Sequence, residues 1–139
     1  MILTLDTNIL LDIALKREPF FNMSYLVLMN ILENGDKAIV SASSVTDIYY
    51  VTKKMAGDEK AREAIWKLRD ILSIAEVTSD HVVTALESKV KDFEDAMLSA
   101  VAKSNHSDYI ITRNERDFAY SSVPAITPKD FVNMIGLAT

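Results

Sequence analysis

Ile2-Leu3-Thr4-Leu5-Asp6-Thr7-Asn8-Ile9-Leu10 is the stretch from which the fold is read. Ile2 to Leu5 is a short apolar run that closes abruptly on an acid, the pattern of a strand buried on both faces. Asp6, Thr7 and Asn8 then offer capping side chains ahead of Ile9, Leu10, Ile13 and Ala14, which recur at helical spacing. The same alternation continues along the chain. Phe21, Tyr25, Leu28, Met29 and Leu32 mark a helix with Asn22 as its expected cap and Asn34-Gly35 as its stop. Ala38-Ile39-Val40 predicts a second strand. Ser43 to Met55 has strand-like composition, but Ser43 or Ser44 as its cap and Lys53-Lys54 in its last turn favour a helix. Asp58 is the expected cap of the next helix. Ile74 to Val77 predicts a third strand. A helix opens at Ser79 or Asp80, and Asp92 caps another that runs through Ala96 to Val101. Tyr109 to Thr112 predicts a fourth strand and Pro124 to Thr127 a fifth, placed at an edge by its proline. Pro128 starts a final helix that ends near Gly136.

Apolar strands separated by helices predict an α/β three-layer sandwich, a parallel sheet of about five strands flanked by helices. A chain of 139 residues holds one such domain, spanning 1–139. Its composition, 49% hydrophobic and 25% charged, is that of a folded globular chain. With no cysteine, a disulfide framework, a thiolate zinc site and a cysteine nucleophile are all excluded. The longest uncharged stretch, between Glu18 and Glu33, is interrupted by Pro19, Asn22, Ser24 and Asn30, so it is no membrane span. The apolar start lacks a basic flank and meets Asp6 at once, which argues against a signal peptide and for a cytoplasmic protein. A net charge of −5 excludes loose whole-surface binding to nucleic acid and leaves room only for a focused basic strip. Lys53, Lys54, Lys60, Arg62, Lys67 and Arg69 form one such strip.

In open α/β sheets, ligands gather beyond the carboxyl ends of the strands. Asp6 directly follows the first strand. Thr112-Arg113-Asn114 follow the fourth, with Asp117 close behind. Asp47 lies early in the helix after the second strand, and Asp95 lies in the first turn of the helix that feeds the fourth. A parallel sheet would bring these oxygens to one end, where like charges need a neutraliser. With no cysteine and no histidine in place, a hard cation such as Mg2+ or Mn2+ suits the donors, and phosphodiester hydrolysis suits the cation. Each residue also has a structural alternative: Asp6 as a helix cap, Asp95 as the capping partner of Asp92, Asp47 as a first-turn carboxylate, Asn114 as a turn residue and Asp117 as another cap.

In this order and spacing, Leu5-Asp6-Thr7-Asn8-Ile9-Leu10-Leu11-Asp12, Ser44-Val45-Thr46-Asp47-Ile48, Asp92-Phe93-Glu94-Asp95-Ala96, Ile111-Thr112-Arg113-Asn114-Glu115-Arg116-Asp117-Phe118 and Val123-Pro124-Ala125-Ile126-Thr127-Pro128 resemble the PIN-domain nucleases. The likeness spans nearly the whole chain and is strongest to the branch with the Asp-Phe-Glu-Asp-Ala motif, related to VapC-like toxins. It implies a metal-dependent endoribonuclease using Mg2+ or Mn2+, with Asp6 and Asp95 as metal ligands. Asp47 stands where the family usually has glutamate, which implies ligation directly or through a water. Asn114 stands where many members have a fourth acid, a charge that Asp117 is placed to supply. Asn8 and Thr112 match small polar residues that hold the acids or the scissile phosphate. Arg113 and Arg116 join the basic strip as candidates to steer RNA. Expected partners are RNA, an antitoxin covering the cleft, and a second copy packed on the apolar Pro19–Met29 segment.

Other chemistries fit less well. A receiver domain would need a phosphoacceptor acid after the third strand, where Val77-Thr78-Ser79 stands. An Asp-x-Asp phosphatase fails on Asn8, and a P-loop fails because the only glycines are 35, 57 and 136. His81 and His106 are read as bystanders. The serious competitor is a PIN scaffold weakened at positions 47 and 114 that serves as an RNA- or partner-binding module.

Overall fold

The computed structural model describes residues 1–136. Its centre is a five-stranded sheet in the order β3-β2-β1-β4-β5, with every neighbouring pair parallel. The strands are β1 (Ile2–Leu5), β2 (Lys37–Ser41), β3 (Ser73–Ala75), β4 (Tyr109–Ile111) and β5 (Ala125–Ile126). The α/β sandwich is therefore observed, and the proline-led fifth strand does lie at an edge. The third strand is displaced from the expected Ile74–Val77, because only Ser73, Ile74 and Ala75 find partners, on Ile39, Val40 and Ser41.

Seven helices cover the two faces: α1 (Thr7–Ala14), α2 (Phe21–Glu33), α3 (Ala42–Ala56), α4 (Asp58–Ile71), α5 (Ser79–Glu87), α6 (Phe93–Ser104) and α7 (Pro128–Met134). Strand alternation assigns the faces. Leu3, Leu5, Ala38, Val40 and Ile111 point into the main core with Ile9, Leu28, Ile31, Ile48 and Phe131 from α1, α2, α3 and α7. On the opposite face Ile39 packs on Val101, and Ile110 on Leu98 and Ala102, all three from α6. Burying these side chains removes them from water on both sides of the sheet, the dominant favourable term in folding.

The ambiguous segment from Ser43 is indeed a helix, but its cap is Ser41, which accepts the Ser44 amide at 3.2 Å, and the expected caps Ser43 and Ser44 both lie inside it. Three further expected caps are corrected. Asn22 lies inside α2, which follows Phe20 without a side-chain cap. Asp58 is the first residue of α4 rather than its cap, and its carboxylate accepts from Arg62 and from the Tyr49 hydroxyl. Thr78, not Ser79 or Asp80, caps α5. Gly57, at φ +93°, makes the reversal between α3 and α4 that a side chain would strain. Among the described residues no helix is long and apolar enough to cross a membrane.

Candidate functional site

Crossovers from β1 run to one side toward β2 and β3, while β4 and β5 lie on the other, so the sheet's switch point falls between β1 and β4. Pairing Leu5 with Ile111 puts Asp6 and Thr112 side by side as they leave the sheet. The Asp6 amide extends the ladder by donating to the Ile111 carbonyl at 3.0 Å. The fully buried Thr112 hydroxyl then donates to Asp6 Oδ2 at 2.8 Å and accepts the Asn114 amide at 3.1 Å. Asp6 occupies the N-cap position of α1 without a side-chain capping hydrogen bond. Through its own hydrogen bond Thr112 fixes the orientation of the Asp6 carboxylate.

A cleft of about 690 Å³ opens at this point. Asp6 and Asn8 enter it from the start of α1, Asp47 from α3, Asp92, Glu94 and Asp95 from the start of α6, and Asn114 and Asp117 from the segment after β4. The topology thus brings together Asp6, Asp47, Asp95, Asn114 and Asp117. Asp92 is the α6 cap, accepting the Asp95 amide at 3.1 Å. Asp95 does not return a bond to it, and among the described residues no donor holds the Asp95 carboxylate in place.

Electrostatics follow from that placement. Burial, then the charges of Asp6, Asp92, Asp117 and Glu94, push the Asp95 carboxyl up to about 7. Burial raises Asp6 as well, opposed by the Thr112 hydrogen bond, the Thr7 amide and Arg113. Glu94 is raised chiefly by the charge of Asp47, then by burial and by Asp92 and Asp6. Glu94 lines the cleft although the sequence pattern did not single it out; the acid-rich run that opens α6 was its signal.

Arg113, expected to meet substrate, is committed elsewhere. Its Nε lies 3.0 Å from Asp12 Oδ2, and its guanidinium stacks 3.8 Å from the centre of the Phe20 ring. The Asp12 side chain is wholly buried, so it needs that cation. Arg17 assists from 3.9 Å and also reaches Asn8 Oδ1 at 3.5 Å. His81 is structural, as expected. Its Nδ1 accepts the Thr78 amide at 2.9 Å and its Nε2 meets the Ser104 hydroxyl at 2.8 Å. His106 occupies a left-handed turn position, and neither histidine lines the cleft.

The donor set tests well against one kind of ion. Every titratable group in the cleft is a carboxylate, and Arg113 is spent on Asp12. Among the described residues, no three His, Asp or Glu side chains stand together as a ready-made metal site. That arrangement suits an ion that keeps several waters and takes one or two carboxylates directly, as Mg2+ does.

A five-stranded parallel sheet with an all-oxygen acidic cleft at its switch point defines a distinct class of small α/β protein. Within that class the chain belongs to the PIN-domain family, whose model matches residues 3–116. Its structure is similar to VapBC2 from Rickettsia felis bound to a DNA fragment from its promoter (16% identity, 91% of this chain and 98% of the other, TM-score 0.74). A toxin-antitoxin complex from Klebsiella pneumoniae is similar at 25% identity (90% and 96% covered, TM-score 0.68). VapC20 from Mycobacterium tuberculosis, a sarcin-ricin loop cleaving toxin, is similar at 14% identity (78% and 86% covered, TM-score 0.65). No curated protein matches the sequence significantly.

Proposed function

We propose that this protein is an endoribonuclease that uses Mg2+ or Mn2+ and forms the toxin half of a toxin-antitoxin pair in the cytoplasm. The observation that carries the reading is the meeting of Asp6 and Asp95 in one cleft, with Asp95 pushed to about 7 by burial and unneutralised acids. Family membership and the likeness to toxin-antitoxin complexes support it. Asp6 and Asp95 are the direct ligands in this reading, and Asp47 contributes directly or through a water. A divalent cation bound there supplies Lewis acidity toward a phosphate oxygen and toward water. Thr112 fixes the Asp6 oxygen, Asn8 and Asn114 offer polar contacts to the scissile phosphate, and Asp117 adds charge at the rim. An antitoxin would cover the acidic cleft with a basic side chain. A second copy would pack on α2, where Phe20, Tyr25 and Leu26 are 39%, 45% and 40% exposed.

Incubating purified protein with total RNA, with Mn2+ or with EDTA, tests the reading. Cleavage should require the metal and vanish in Asp6→Asn; cleavage by that variant at the wild-type rate would refute the ligand assignment. The lack of a ready-made three-ligand site among the described residues and the neutral Asn114 favour one rival, a scaffold that binds RNA or a partner without cleaving. Millimolar Mn2+ should raise the thermal midpoint of a nuclease by mass action and leave the inert scaffold unmoved.

A further inference from the structure

Arg17 lies outside the cleft, in the connection between α1 and α2. Its backbone is pinned at both ends. The amide donates to the Asp12 carbonyl at 3.0 Å, and the carbonyl accepts the Phe20 and Phe21 amides at 3.0 and 2.7 Å. The side chain is thereby delivered to one place, where Nη1 stands between two oxygens, 3.5 Å from Asn8 Oδ1 and 3.9 Å from Asp12 Oδ1. Asn8 and Asp12 are four residues apart on α1 and share one face of that helix. Asp12 is buried behind the cleft, and Asn8 forms part of its wall.

The consequence falls on the Asn8 amide, which has an accepting end and a donating end. A guanidinium only donates, so the end that meets Arg17 is Oδ1, and Nδ2 is turned away from it. Among the described residues Nδ2 has no acceptor. It stands as a free pair of N–H donors in the wall of a cleft whose titratable groups are all carboxylates. The opposite orientation would aim Oδ1 into the cleft, where an anionic oxygen would meet another lone pair. Removing the cation favours that orientation, because the N–H donors are then drawn to the Asp12 carboxylate one helical turn away. We propose that Arg17 is a positioning residue: it holds the Asn8 amide with its donors toward the cleft, set to meet an oxygen of the scissile phosphate. Arg17 itself touches no substrate. The proposal rests on the nuclease reading for the phosphate, and on the geometry around Arg17 for the amide.

Two measurements on the full chain test it. The first needs no activity: the side-chain amide resonances of Asn8 in isotope-labelled protein in EDTA, identified by their loss in Asn8→Ala. Arg17→Gln should shift or broaden that pair. The amide pairs of Asn34 and Asn105, held by Asn30 and by the Val101 carbonyl, should stay in place and report an intact fold. Asp12 keeps Arg113 at 3.0 Å, so the variant is expected to fold. The second measurement is RNA cleavage in Mn2+. Asn8→Ala should lower kcat/KM roughly 10- to 100-fold, the worth of one hydrogen bond to a charged group. Asn8→Asp keeps the size and the Arg17 contact but has no donor, and should lose as much. Arg17→Gln should lower kcat/KM about 10-fold, and adding it to Asn8→Ala should cost nothing more. The salt dependence of KM should match the wild type in Arg17→Gln, since no phosphate contact is lost. Unmoved Asn8 resonances, wild-type cleavage by Asn8→Asp or additive losses in the double variant would overturn the proposal. So would a salt slope lowered by about 0.7 in Arg17→Gln, because Arg17 would then meet RNA directly. Wild type that cleaves nothing in Mn2+ would overturn the nuclease reading alone, and the resonances would still decide how the Asn8 amide is held.

Discussion

Replacing Asp95 by asparagine should stabilise the metal-free protein increasingly as pH rises from about 4 to about 7, and fully above that. Asp95 is nearly isosteric with asparagine, so packing in the first turn of α6 is kept while one charge leaves the cleft. The folded-state carboxyl titrates at about 7, against 3.8 for an unperturbed aspartate, with burial the largest cause and Asp6 the next. Below the lower value both states carry the proton and nothing is lost. Between the two values the unfolded chain releases the proton while the folded chain keeps it, so stability falls as pH rises; above about 7 the penalty is constant. At about 1.36 kcal/mol per pH unit, the interval caps the penalty at about 4 kcal/mol. The cleft opens to solvent, and screening there reduces it to about 2 kcal/mol. Urea denaturation in EDTA at pH 5 and pH 8 reads this directly. The wild type should lose about 1 kcal/mol more than Asp95→Asn across that interval, the part of the penalty that accrues between pH 5 and about 7. Mn2+ should restore the wild type at pH 8 and leave the variant little changed. An identical pH dependence in the two proteins would refute the argument that crowded acids strain this cleft.

Thr112→Val removes the 2.8 Å bond that aims Asp6. Its RNA cleavage should fall about 10- to 100-fold, the worth of a hydrogen bond to a charged group, with Thr112→Ser restoring most of it. Arg113→Ala leaves a wholly buried Asp12 without its closest cation and should cost about 3 kcal/mol in denaturant unfolding. Pairing it with Asp12→Asn should recover much of that loss; a double variant as unstable as the sum of the two singles would argue against a coupled pair. His81→Ala breaks the reciprocal cap with Thr78 and should cost about 1 kcal/mol of stability without changing cleavage per folded molecule.

Periodicity and punctuation alone determined the fold class. Short apolar runs closing on Asp6 and Thr112 read as strands buried between helices once set against the helical spacing around them, and Pro124 sent the last of them to an edge. The candidate site was legible in part, because carboxylates at strand ends and helix starts carry a functional signal whatever the sheet order. Local sequence could not decide the cap of α5, where Thr78, Ser79 and Asp80 compete and backbone geometry picks Thr78, and it placed a cap at Asn22 on α2, which starts after Phe20 with no side-chain cap. Nor could it separate Asp6 the cap from Asp6 the cleft acid: that choice depends on β4 lying beside β1 in a register that delivers the Thr112 hydroxyl. Arg113 shows the same limit from the other side. Its neighbours in sequence suggested substrate, and its neighbour in space is Asp12, a charge buried by packing that has to be matched wherever the chain can supply a cation.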